Sequence, residues 1–120
     1  MNTRKKLSRP ITLYFLETLN SIKLFHWNTP SFAAHKASDE LYEKLSDSID
    51  KFVEILLRDK RLDSFKVNVP VYNLSKPNLI RYLSKFDSYI LSLNLDNDLA
   101  NIRDDMSADI HQFFFLLKLR

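Results

Sequence analysis

Not one of the 120 residues is glycine, and only four are proline. Glycine takes positive φ at no steric cost, and the tight turns of β-hairpins depend on such residues. A chain without it is poorly suited to turn-rich β architecture and well suited to helices. The length suits one small domain with a single core. With no cysteine, disulfides and thiolate metal sites are excluded, and an intracellular setting is favoured. No apolar run approaches the roughly 18 residues of a membrane span, and the N-terminus lacks the apolar stretch of a signal peptide. The expectation is a soluble, cytoplasmic chain.

Apolar spacing then predicts four helices. Ile11, Tyr14, Phe15, Leu19, Ile22 and Phe25 form one stripe of a first helix that starts near Pro10 and runs to Trp27. Leu13, Leu16, Leu24 and Trp27 form a second stripe, so this helix is expected to bury a face against another subunit as well as its own bundle. The second helix is expected from about Pro30 to Lys60, with Leu41, Leu45, Ile49, Phe52 and Leu56 inward. VNVPVY reads as extended, within a connection long enough to cross the bundle. Leu79, Leu83, Phe86, Ile90 and Leu93 mark the third helix. Leu99, Ile102, Met106, Phe113 and Leu117 mark the fourth, capped by Asp96-Asn97-Asp98. The aromatic run Phe113 to Phe115 suggests a further buried contact. The fold expected is an all-α four-helix bundle with one long crossover between helices two and three.

Five metal-binding side chains stand between His26 and Glu54: His26, His35, Asp39, Asp50 and Glu54. His35 and Asp39 are one helical turn apart, as are Asp50 and Glu54, so each pair shares a face. From His35 to Asp50 a continuous helix rises about 22 Å. First-row metals hold their ligands at about 2 Å. One chain therefore cannot bring both pairs to one ion. Either the pairs are unrelated, or two copies of the chain meet and complete a site between them. Asp50 and Glu54 also lie opposite Leu41 on the helical wheel, facing away from the chain's own core. A solvated acidic face is the plain alternative.

These residues resemble the ferroxidase segment of Dps-type ferritins, the DNA-binding proteins from starved cells. The resemblance rests on His26-Trp27 closing one helix, His35 and Asp39 opening the next, and Ile49-Asp50-Lys51-Phe52-Val53-Glu54 further along it. It covers about half the chain closely, and the helix order extends it. It implies a ferritin-like bundle assembling as a two-fold dimer and, in that family, as a hollow dodecamer. It implies that His26, His35 and Asp39 of one subunit hold iron with Asp50 and Glu54 of its mate, as the catalytic residues of a ferroxidase. Fe(II) would be oxidised by hydrogen peroxide or dioxygen, stored as mineral, and kept from damaging DNA. Trp27 is then a candidate radical trap, with a packing role as the alternative.

Arg4, Lys5, Lys6 and Arg9 make residues 1–9 a basic tail with no acid. Without those four, the 18 basic residues fall to 14 against 15 acidic, so the tail carries the net charge of +3. Such a tail is a candidate DNA-binding arm, strengthened by repetition in an assembly, or else a solubilising terminus. It would associate the protein with the nucleoid. His111, seven residues from Asp104, is expected to be a structural or surface histidine, with a metal or pore role as the alternative. The short chain and the short connection between the histidines motivate a second functional reading. In it, a structural or DNA-associated protein, with a virion as one setting, keeps the assembly and has lost efficient oxidation.

Overall fold

The computed structural model describes residues 3–59, 61–64 and 66–119, with side chains described from Pro10 onward. Four helices pack as a bundle: α1 (Thr3–Asn28), α2 (Phe32–Leu56), α3 (Lys76–Leu91) and α4 (Asn97–Lys118). Among the described residues no backbone has positive φ. The absence of glycine is thus matched, among those residues, by connections that stay out of the left-handed region.

Each helix touches two neighbours. α2 packs on α1 and α4, and α3 packs on α4 and α1, which puts α1 and α4 on one diagonal and α2 and α3 on the other. The long connection follows from this arrangement. α2 rises about 36 Å from the α1–α2 turn to Leu56. α3 begins back at that turn, where Leu74, Ser75 and Lys76 share a cavity wall with Asn28, Thr29 and Pro30. Residues 57–75 must therefore travel the length of the bundle, which about twenty extended residues do easily at up to about 60 Å. On the way Tyr72 N–H donates to Ser21 Oγ at 3.2 Å, and Asn28 Nδ2 donates to Asn73 Oδ1 at 2.9 Å.

The core is built from the expected stripes. Ile11, Phe15, Leu19, Ile22 and Phe25 of α1 are buried with Leu41, Leu45, Ile49, Phe52 and Leu56 of α2. Leu79, Leu83, Phe86 and Ile90 of α3 meet Leu99, Met106, Ile110, Phe113 and Leu117 of α4. Edge-on ring contacts between Phe15 and Phe52 and between Phe15 and Phe86 lock the centre. Leu13, Leu16, Leu24 and Trp27 stand outside this core, and Trp27 is 70% exposed. Of the aromatic run, Phe113 is buried, Phe114 half-buried and Phe115 exposed.

Four boundaries differ from expectation, among them the end of α3, which stops at Leu91 and leaves Leu93 in the connection to α4. α1 begins at Thr3, so Pro10 lies inside it and not in its first turn. Proline there leaves one backbone carbonyl of the preceding turn without its usual partner. α2 starts at Phe32 because the Ser31 hydroxyl caps Ala34 N–H at 3.2 Å. It stops at Leu56, short of Lys60, where the sequence turns to charges with no face to bury. Arg58 instead swings out to Asp98 at the start of α4, at 2.8 Å.

Candidate metal centre at the α1–α2 turn

His26 lies in the last turn of α1 and His35 in the first turn of α2, with the short segment 29–31 between the helices. The two imidazoles stack, with centroids 3.9 Å apart and planes 15° from parallel. Each holds the other's backbone: His26 Nδ1 lies 2.7 Å from the His35 carbonyl, and His35 Nδ1 lies 2.7 Å from the His26 carbonyl. A carbonyl oxygen only accepts, so both Nδ1 atoms carry the proton and donate. In the neutral ring this leaves the lone pair on Nε2. Ser38, fully buried one turn further on, donates its hydroxyl to the His35 carbonyl at 3.1 Å and lies 3.4 Å from His26 Nδ1.

Such carbonyl partners are what orient metal-binding histidines, because they fix the tautomer and make the free nitrogen the donor. Asp39 sits beside this donor face, with Oδ1 3.9 Å from His26 Nε2. His26 is largely buried, whereas Asp39 is about half exposed. The structure thus brings three of the five candidates to one end of the bundle.

The other two are elsewhere. Asp50 and Glu54 are exposed on the outer face of α2, as the wheel predicts. Glu54 shares a shallow cleft with Lys51, Ile55, Arg58 and Ile102. Among the described residues, no three His, Asp or Glu side chains gather where they hold an ion by themselves. Trp27 lies next to His26 with its ring largely in solvent. Arg4, Lys5, Lys6 and Arg9 belong to the α1 backbone, but their side chains lie outside the described residues.

With this geometry in place, comparison with known proteins places the chain. A family model, DUF5856, a family of unknown function, matches residues 26–117. The chain belongs to DUF5856. The span matched in the DUF5856 model opens on the first of the stacked histidines and takes in α2, α3 and nearly all of α4. No curated protein and no solved structure matches.

Two polar assemblies in this DUF5856 chain escaped sequence reasoning. His111 is exposed, yet its Nε2 donates to Asp87 Oδ2 of α3 at 2.9 Å. Asp104, on its own helix, pairs with Arg103 instead. Asp87 is only 6% exposed, and its second oxygen has no hydrogen-bond partner. In the other assembly Tyr82 of α3 donates to Glu17 Oε1 of α1 at 2.7 Å and lies 3.2 Å from Thr18 Oγ1. Both join residues of different helices, and periodicity within one helix does not signal them.

Proposed function

We propose that the protein binds Fe(II) and oxidises it at sites shared between two copies of the chain. His26, His35 and Asp39 of one copy would hold the iron together with Asp50 and Glu54 of the other. The observation that carries this reading is the reciprocal locking of His26 and His35, which in the neutral rings leaves Nε2 as the donor of each, with the Asp39 carboxylate 3.9 Å from that of His26. The outward Asp50 and Glu54 supply the carboxylates that an incomplete half-site lacks. Imidazole suits Fe(II), and carboxylate favours the harder Fe(III) product. Two Fe(II) would each give one electron to hydrogen peroxide, whose O–O bond breaks and which takes up two protons from solvent to leave as two waters, or dioxygen would serve as oxidant. Iron held as Fe(III) and peroxide consumed together spare nearby DNA, and the basic residues Arg4, Lys5, Lys6 and Arg9 would keep the assembly on it.

Mixed assemblies test this reading. One variant carries His26→Ala with His35→Ala, the other Asp50→Ala with Glu54→Ala. Each alone is expected to bind Fe(II) poorly in anaerobic titration. A mixed two-fold dimer should hold one complete site, recovering about half of wild-type binding. Without recovery in mixed dimers confirmed by mass, the shared site is rejected, and a structural or DNA-associated role takes its place.

A further inference from the structure

Four of the chain's five tyrosines stand in one connected group between α1, α3 and the crossover. The Tyr72 and Tyr82 ring centroids are 6.0 Å apart, Tyr82 and Tyr14 6.3 Å, and Tyr14 and Tyr89 5.1 Å. Packing alone explains ring contacts of this kind, and a buried phenol needs only one polar partner. Tyr82 has two, of opposite sense. Its hydroxyl donates to the Glu17 carboxylate at 2.7 Å, which leaves the Thr18 hydroxyl, 3.2 Å away and fully buried, to donate to the phenol oxygen. Tyr72, at the other end of the group, is 44% exposed and gives it a surface outlet.

We propose that Tyr82, with Glu17 as its proton acceptor and the neighbouring tyrosines as relay, is a redox site that takes up single oxidising equivalents. This goes beyond the iron reading and stands without it, since the oxidant comes from outside the chain. Its chemical class is a one-electron oxidant such as a peroxide-derived radical. The step balances within the triad. Tyr82 gives one electron to the oxidant, its O–H bond breaks, and the proton forms a new O–H bond on Glu17 Oε1. A neutral tyrosyl radical remains, its oxygen still held by Thr18. Loss of the electron alone would leave a strongly acidic radical cation in a partly buried site, a charge the surroundings solvate poorly. Burial, with the hydrogen bond to Glu17, pushes the Tyr82 phenol well above its ordinary value. At neutral pH the group is a phenol, and the hydrogen bond to Glu17 gives its proton a place to go as the electron leaves. An external one-electron reductant refills the hole through Tyr72, and Glu17 returns the proton.

The test uses the full chain with ruthenium(III) tris-bipyridine, generated by a light flash in the presence of persulfate, as oxidant. Absorption and electron paramagnetic resonance follow the tyrosyl radical. The wild type should give a long-lived neutral radical whose formation slows in heavy water. Tyr82→Phe should lose most of it. Glu17→Gln, which keeps the ring and its packing, should slow formation by about tenfold, or about 1.4 kcal/mol in barrier. Tyr42→Phe, which removes the one tyrosine outside the group, should change nothing. If Glu17→Gln forms the radical at the wild-type rate, or if Tyr42→Phe is the variant that loses it, the proposal is wrong. Circular dichroism of each variant confirms the fold, and the Glu17→Gln result decides the matter even where Tyr82→Phe is unstable.

Discussion

The two helical hairpins of the bundle each carry histidine chemistry, and they use it in opposite ways. At the α1–α2 turn, His26 and His35 spend Nδ1 on backbone carbonyls and keep Nε2 free. Between α3 and α4, His111 spends Nε2 on the buried Asp87 carboxylate and keeps only Nδ1, on a largely exposed ring. In the first, the backbone supplies the partner, so the ring is oriented and its donor atom stays available. In the second, the partner is a charge that would be costly to leave unpaired, so the ring serves the carboxylate. An imidazole's role is thus set by what binds its other nitrogen more than by its exposure.

The largest expected contrast is in metal binding. His26→Ala removes a proposed ligand and should weaken anaerobic Fe(II) binding by at least the roughly 10–100-fold that loss of an outer-shell partner costs. His111→Ala should leave it unchanged, and a comparable loss there would erase the distinction between the hairpins.

Stability should show the reverse order. His111→Ala leaves Asp87 with neither oxygen partnered and is expected to cost about 1–3 kcal/mol in urea unfolding. Adding Asp87→Leu should restore most of that, because an apolar side chain removes the buried acceptor altogether. Failure of the double variant to recover would mean that His111 stabilises through its ring contact with Phe114 instead.

A smaller effect is expected at Ser38. Ser38→Ala removes a donor from the His35 carbonyl and should cost about 1 kcal/mol. It should also loosen the stacked pair, read as smaller ring-current displacements of the imidazole proton shifts in nuclear magnetic resonance.

The gentlest test is alkaline. Tyr82 keeps its proton in the folded chain above the ordinary phenol value of 10.0, whereas the unfolded chain releases it there. Above that pH the unfolded state binds fewer protons, so stability should fall as pH rises. Tyr82→Phe should flatten the fall, and because the group is only half buried the difference should be modest. An unchanged alkaline slope would show that Tyr14 and Tyr89, also raised by burial, dominate it.

Sequence by itself determined the four helices, the inward stripes and the outward direction of Asp50 and Glu54, because each depends on the spacing of residues along one helix. It also placed His26 and His35 at facing helix ends, since only a short turn separates them. Tertiary structure alone decided the partners. That His111 meets Asp87 and not Asp104, that Tyr82 reaches Glu17 some 65 positions away, and that each imidazole finds the other's carbonyl depend on how the helices are rotated and staggered against one another. A rotation of one residue, about 100°, would turn each of those side chains to a different neighbour. Packing of the whole core sets that rotation, and no local pattern in the chain records it.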